Sequence, residues 1–481
     1  MTLLPKKPEP PAPRPWHAKL LQPPGLSHPA RPTPHRARLA LLSLALALPV
    51  LGGAARAQTV LDFVSAPSVE DLQCPNPLLQ PPSGGDVAGH RPSLAGSQVP
   101  SLGELGALAR TVIRAQPRIN PQTIPGLALQ DFKPPRHIAI WGDSHIAAGP
   151  MMPTLLQALR ARGVSTGAYF LPPTMGRANV RLPGLRASCA GPGWDTELSY
   201  ALPTPLLSGP ALANRTAVAG PDSYLWLDLR DPDRRALVRE VRIVYRVASE
   251  STLEISVNDG PTRRVALSPR GDGATETLIL RGDAPVATVK LQVGQGRLLL
   301  YGFILDHIAP PALTLDVFGI PSATVRGWAN ADPDYLQQTL HGVHYDGVML
   351  EYGTNEGNAR DFNRAQYAAL LTEALTHMRQ VFPAASCLLI GPPDRGVLSA
   401  RRADLLRFAH THQLIEATQR EVGRRFGCAV WNWQDLMGGP GGNYGWFYAA
   451  PPLMGHDLTH LSAAGYEQTG QALARSLGWR D

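Results

Sequence analysis

The spacing of apolar positions changes character twice along the chain. From Arg136 the run HIAIW is short, apolar and closed by a Gly turn, which predicts a buried strand. A helix is expected from near Ala147 through LLQALRA, and Tyr169 to Leu171 is expected to add a second strand to the same sheet. Between about residues 205 and 311 the helical period disappears and the pattern alternates by two. Leu253, Ile255 and Val257 are predicted to face inward and Glu254 and Ser256 outward, ahead of an Asn258-Asp259-Gly260 turn. Val289, Leu291 and Val293 repeat the pattern before Gly294-Gln295-Gly296 turns the chain into LLLYGFIL. From Leu313 the alternation of strands and helices resumes. Val348 to Leu350 reads as a strand, and Tyr367, Leu370, Leu371, Ala374, Leu375 and Met378 share one helix face that ends before Pro383. A strand from Cys387, a helix through Leu414, Ile415, Thr418 and Val422, and a strand from Cys428 complete the series.

Helices alternating with buried strands build a parallel sheet covered on both faces, whereas closely spaced period-two runs build a sandwich. The expected fold class is therefore α/β, a three-layer α/β/α domain with a parallel sheet, interrupted by an inserted, jelly-roll-like β-sandwich. The expected boundaries are a leader over 1–57, a Pro/Ser/Gly-rich linker or arm over 58–104, a first α/β part over 105–204, the sandwich over 205–311 and a second α/β part over 312–481. Gly103 to Arg118 is expected to hold one helix.

Charge narrows the partners. The 481 residues carry 45 Lys+Arg and 38 Asp+Glu, but residues 1–57 hold eight of the basic side chains and one of the acids. The remainder is neutral, which gives no push toward nucleic acid. Leu39 to Leu51 forms an apolar run of 13 residues behind Arg36 and Arg38 and ahead of Ala55-Arg56-Ala57. That run is shorter than the ~20 residues needed to span a bilayer, and it ends in a small-x-small cleavage pattern, so a secretory signal is expected. A periplasmic or secreted protein with no membrane span in its mature chain follows. Cys74, Cys189, Cys387 and Cys428 then permit two disulfides in three connectivities. Cys387 and Cys428 each begin a strand that follows a helix, which favours Cys387–Cys428 and Cys74–Cys189.

Active sites of open α/β sheets lie beyond the carboxyl ends of the strands. The polar residues expected there are Asp143, Ser144 and His145, then Gly353, Thr354 and Asn355, then His456, Asp457 and His460. Together they supply a hydroxyl, an imidazole, a carboxylate and an amide, the parts of serine acyl transfer. Taken singly, Gly-Asp-Ser is also an ordinary helix N-cap; the three groups in this order make the chemical reading. No HExxH and no clustered carboxylates point to a metal, and the chemistry calls for no cofactor.

IWGDSH resembles the first block of the SGNH (GDSL-type) hydrolases, EYGTNEGN their third, and Asp457-Leu-Thr-His460 their last. The resemblance implies Ser144 as nucleophile, His460 as general base and Asp457 as its partner. It implies an oxyanion hole from the N–H groups of Ser144 and Ser322 and the side chain of Asn355. Ser322, in Gly319-Ile-Pro-Ser-Ala-Thr324, stands where that family has Gly. GDSHIAAG, YGTNE, IGPPD, the WNWQDLMGG run from Trp431 and the interrupting β-domain are similar to the periplasmic peptidoglycan O-acetylesterases, whose inserted domain resembles a carbohydrate-binding module. The expected activity is removal of O-acetyl groups from a glycan, with peptidoglycan or another envelope polysaccharide as partner. His145 is expected to line the substrate cleft, and Trp446, with Tyr444 and Trp328, either to stack on sugar rings at its mouth or to pack in the core. Transfer of the acetyl group to a sugar hydroxyl, and glycan binding without catalysis, are the alternative readings.

Overall fold

A computed structural model describes residues 59–75, 99–105, 124–131, 133–177, 180–203, 205–359, 361–398 and 404–480. The signal expected over 1–57 and most of the helix expected over Gly103 to Arg118 lie outside the described residues; of that helix Leu102–Leu105 is present.

Six strands form the parallel sheet, in the order Cys428–Trp431, Ser386–Ile390, Gly347–Glu351, Arg136–Gly142, Leu313–Gly319 and Thr166–Gly167. Because side chains alternate across a strand, each apolar run feeds two cores. Ile138, Ile140, Met349, Leu388 and Ile390 pack with the helices Met151–Ala161 and Ala463–Ser476. Ala139, Trp141, Val348, Leu350, Cys387 and Leu389 pack on the other face with Arg364–Val381 and Arg407–Arg425. The helix predicted from Ala147 is in fact two, Ser144–Ala148 and Met151–Ala161. The chain bends between them at Gly149, where a Cβ would stand 2.7 Å from the Tyr466 ring.

The remaining strands make two facing sheets. One is seven-stranded: Thr59–Phe63, Glu276–Val286, Val238–Arg246, Arg297–His307, Ala213–Val218 and Trp194–Leu198 in order, with Phe170–Leu171 also pairing Arg297–His307. The other is five-stranded: Arg263–Leu267, Ser251–Val257, Thr288–Gln295, Leu225–Asp228 and Ala187–Ala190. Leu253, Ile255, Val257, Val289, Leu291 and Val293 are buried between them, as the alternation predicts, against Val241, Ile243, Leu278, Leu298 and Phe303. Burying a side chain of this size is worth about 1.5–3 kcal/mol, so this apolar alternation is the sandwich's main source of stability.

The sandwich reaches further along the chain than the expected 205–311. Thr59–Phe63, assigned to the arm, runs parallel to Glu276–Val286. Ala187–Ala190 and Trp194–Leu198, assigned to the first α/β part, pair with Leu225–Asp228 and Ala213–Val218. Phe170–Leu171 joins Arg297–His307 rather than the parallel sheet. Several of these strands are short, and the partners of Thr59–Phe63 and Phe170–Leu171 are more than a hundred positions away, so local periodicity carries no sign of them.

Both disulfides are formed, Cys387–Cys428 and Cys74–Cys189. The first joins residues in register on adjacent parallel strands; the second fastens the segment after Thr59–Phe63 to the five-stranded sheet. Among the described residues no helix is long and apolar enough to cross a membrane.

Candidate active site

Gly142 ends the central strand, and a Cβ there would meet Ile146 at 2.3 Å and Glu351 at 2.9 Å, so the turn that follows needs glycine. Asp143 caps the next helix by accepting from the His145 N–H at 2.9 Å. Ser144 is thereby the first helical residue, its hydroxyl at the carboxyl end of the sheet. Its Oγ lies 2.9 Å from His460 Nε2. His460 Nδ1 lies 2.7 Å from Asp457 Oδ2, and Asp457 Oδ1 accepts the N–H groups of Thr459 and His460, each at 2.9 Å. With the Nδ1 proton directed at the carboxylate, Nε2 is free to accept from the serine hydroxyl.

Electrostatics agree with that tautomer. Burial alone would push the Asp457 carboxyl up, but the hydrogen bond and charge of His460, with the two backbone donors, bring it down to about 2. Burial would push His460 down, and the hydrogen bond and charge of Asp457 outweigh it, so the imidazole sits above its ordinary value. The same pairing favours the protonated form of the imidazole.

Ser322 follows the strand Leu313–Gly319 with φ 68°, the left-handed region. A non-glycine residue there costs about 1–2 kcal/mol, which gives a physical reason for the glycine that the family carries at this place. The loop is pinned to the serine turn by Ile320 N–H donating to Gly142 O at 3.0 Å. The N–H groups of Ser144 and Ser322 have no protein acceptor among the described residues. Asn355 differs. Its Nδ2 donates to Asp143 Oδ2 at 3.1 Å and to Ala323 O at 2.9 Å, so both amide hydrogens are engaged. It ties the three sequence blocks together, and one of these bonds has to give way before it can donate to an oxyanion.

The structure brings Ser144, Asp457 and His460 together and sets Ser322 and Asn355 on neighbouring loops. It corrects the two cleft residues. His145 is fully buried, with Nδ1 3.0 Å from Tyr466 Oη and its ring centroid 5.4 Å from that of His460. Burial holds its imidazole well below the usual range, so a neutral ring packs against the general-base candidate instead of lining the cleft. Trp446, Tyr444 and Trp328 are likewise buried, at 3 %, 0 % and 1 % exposure. The Gly-rich loop that carries Tyr444 and Trp446 folds as the helix Gly442–Phe447 and turns both into the core, while Trp328 packs from the helix Arg326–Ala329.

One feature escaped the sequence reading. Glu351 is fully buried beneath the serine turn and accepts from the Asp143 N–H at 3.2 Å. Burial, followed by the charge of the neighbouring Asp143, pushes the Glu351 carboxyl well above the carboxylate range, and burial raises Asp143 to about 6. The signal was present, an acid closing the apolar strand GVMLE. Among the described residues no group of three or more His, Cys, Asp or Glu is placed to hold a metal ion.

Residues 300–468 match the family model of the GDSL-like lipases and acylhydrolases. The chain carries a GDSL-type (SGNH) hydrolase domain. The matched segment begins far downstream of Ser144, and most strands of the sandwich lie between the two in sequence. A solved structure of a peptidoglycan O-acetylesterase is 21 % identical with a TM-score of 0.52, over 76 % of this chain and 93 % of that one. At that identity the likeness concerns the fold. A lipase/acylhydrolase from Enterococcus faecalis (22 % identical, TM-score 0.26, 35 % of this chain and 76 % of that one) is too distant to carry weight. So is a family two carbohydrate esterase from Cellvibrio japonicus (12 % identical, TM-score 0.24, 61 % and 99 %). No curated protein sequence matches the chain.

Proposed function

We propose that this protein is a serine esterase that removes O-acetyl groups from a glycan of the cell envelope, with peptidoglycan as the leading substrate. The observation that carries the reading is the unbroken hydrogen-bond chain from Ser144 Oγ through His460 to Asp457 at the strand ends. Ser144 attacks the acetyl carbonyl as His460 Nε2 takes its proton, and Asp457 stabilises the imidazolium. The tetrahedral oxyanion is met by the N–H groups of Ser144 and Ser322, joined by Asn355 once its amide turns outward, each donor contributing roughly 10²–10³ in rate. His460 returns the proton to the departing sugar oxygen, which leaves an acetyl ester on Ser144. Water, deprotonated by His460, then attacks that ester; acetate departs and Ser144 regains its hydrogen.

The sandwich is read as a carbohydrate-binding-like insertion beside this site, and the apolar run over Leu39 to Leu51 together with two disulfides supports action outside the cytoplasm. The test is acetate release from O-acetylated peptidoglycan by the wild type and by Ser144→Ala, with an aryl acetate as generic ester. Release that falls about 10⁴-fold or more in the folded variant is expected. Full activity of that variant would sink the assignment of the nucleophile, and aryl acetate turnover without glycan release would sink the substrate.

A further inference from the structure

His145 follows Ser144 in the chain and Leu461 follows His460, and one phenol joins the two. Tyr466 lies on the helix Ala463–Ser476, with its hydroxyl 3.0 Å from His145 Nδ1. The backbone N–H of Leu461 hydrogen-bonds the same hydroxyl. Because that oxygen accepts from Leu461, its one hydrogen is left for Nδ1, and the neutral imidazole carries its proton on Nε2. His145 and Tyr466 are both fully buried. The phenol is itself held in place: a Cβ at Gly149 would stand 2.7 Å from its ring, so the bend after the helix Ser144–Ala148 packs directly on it. The His145 ring lies tilted against that of His460, centroids 5.4 Å apart, and edge-on to Trp433 at 5.3 Å.

Acyl transfer needs Ser144 Oγ and His460 Nε2 to stay at hydrogen-bond distance while a proton passes between them, and a misplacement of about 1 Å can cost about 10²-fold in rate. The two residues are 316 positions apart and sit on separate turns. Asp457 holds His460 Nδ1 from three residues away, so it orients the ring without fixing the turn against the serine. Gly455 N–H donates to His460 O at 2.7 Å and Leu458 N–H to Gly455 O at 3.1 Å, and these bonds shape the turn from inside. The His145–Tyr466–Leu461 link crosses from one turn to the other. Its polarity comes at a cost, because His145 Nε2 is sealed from solvent and meets no acceptor. A leucine there would pack on Trp433 without leaving a buried N–H unpaired, so what the imidazole contributes lies at Nδ1. Burial keeps the ring neutral, and a neutral ring does not repel an imidazolium forming on His460.

We propose that His145 is a positioning residue for acyl transfer: its Nδ1 holds, through the Tyr466 hydroxyl, the turn that carries His460 in register with the helix that starts at Ser144. The inference rests on the esterase reading and deepens it. His145 touches no reacting atom and acts through Tyr466 and through the face it presents to His460. Both residues are buried away from substrate, so breaking the link affects turnover and spares binding.

The test is a double-mutant cycle read as kcat and KM for an aryl acetate. His145→Leu and Tyr466→Phe each remove the link and leave an apolar side chain in its place. Each is expected to lower kcat about 10- to 100-fold with KM changed less than about twofold. The double variant is expected to fall no further than the weaker single one, because both substitutions break the same link. His145→Asn, whose amide oxygen stands near the position of Nδ1, is expected to recover part of kcat. Wild-type kcat in either single variant, losses that multiply in the double variant, or a loss confined to KM overturns the proposal. A lower urea midpoint with unchanged kcat in the folded enzyme marks a purely structural role and overturns it as well. Should His145→Leu fail to fold, Tyr466→Phe, which lacks one oxygen only, decides by the same kcat criterion. An active wild type with indifferent variants defeats the role of His145 alone. A wild type inert toward both aryl acetate and O-acetylated peptidoglycan removes the esterase reading and the role of His145 with it.

Discussion

In the sandwich, buried Asp228 accepts from Arg230 Nε at 2.9 Å and Nη2 at 2.6 Å and from Arg186 Nη1 at 3.0 Å, while buried Glu240 accepts from Arg242 at 3.2 Å and Arg281 at 2.9 Å. In the parallel-sheet region Asp143, Glu351 and Asp394 are also buried and Glu356 is half-buried, yet none is within ion-pair distance of a cation among the described residues. Burial pushes Glu356 and Asp394 up to about 7. The same residue type thus does different work in the two regions. A buried acid with a guanidinium partner holds strands and arm together. An acid without one has its carboxyl pushed upward by burial, as happens to Asp143, Glu351 and Glu356 beside the turns that carry Ser144 and Asn355. Perturbed acids cluster at functional sites, but Asp316, buried within the strand Leu313–Gly319 and also pushed up to about 7, shows that burial in the sheet alone has the same effect.

The largest effect that would sharpen the contrast comes from the charge pair inside the site. Asp457→Asn leaves shape nearly intact but removes the charge that orients His460, so kcat for an aryl acetate is expected to fall about 10⁴-fold. Activity requires neutral His460, so the wild type should lose activity as pH falls through an imidazole value raised above the ordinary range. In Asp457→Asn the residual activity should persist to lower pH, because the raising partner is gone. A variant with unchanged kcat and an unmoved acid limb would break the assignment.

Removing a paired acid from the sandwich is the next largest. Asp228→Ala leaves Arg230 and Arg186 facing Asp71 alone, and loss of one partner of a buried pair costs about 3–5 kcal/mol. Urea unfolding should show that loss, with the remaining folded enzyme keeping its kcat for aryl acetate. A variant as stable as the wild type would mean that the pairing contributes little.

The smallest is Glu351→Gln, which takes an unpaired acid from beneath the serine turn. An acid whose folded value is raised weakens the fold as pH climbs from the unfolded carboxylate range through that raised value, and the penalty is absent below. The amide has no such term, so the stability of the variant relative to wild type should improve between about pH 5 and pH 8. Paired urea midpoints at the two pH values measure it. A difference that does not change with pH would show that Glu351 is not held protonated.

Much of this was legible in residues alone. The period-two run around Leu253, the helical face from Tyr367 to Met378 and the inter-strand pairing of Cys387 with Cys428 are short-range patterns, and each is found. The blocks around Ser144, Asn355 and His460 were legible because acyl transfer restricts which residue types can do the work. What did not show was the fate of His145 and Trp446. A histidine next to a serine and a tryptophan in a Gly-rich loop look exposed until Tyr466, Trp433 and the core around them are in place.

The sequence by itself therefore determined the class of the fold, the presence of a sandwich within it and the three groups proposed here for acyl transfer, because periodicity and side-chain chemistry are properties of the chain wherever it goes. The tertiary structure decided the rest. It gave Thr59–Phe63 and Ala187–Leu198 to the sandwich, engaged both hydrogens of Asn355, and buried Glu351 against the Asp143 N–H. Those outcomes depend on which groups meet. Ser144 and His460 are 316 positions apart and Asn355 and Asp143 are 212 apart, and only packing brings such residues close enough to share a proton or withhold a charge.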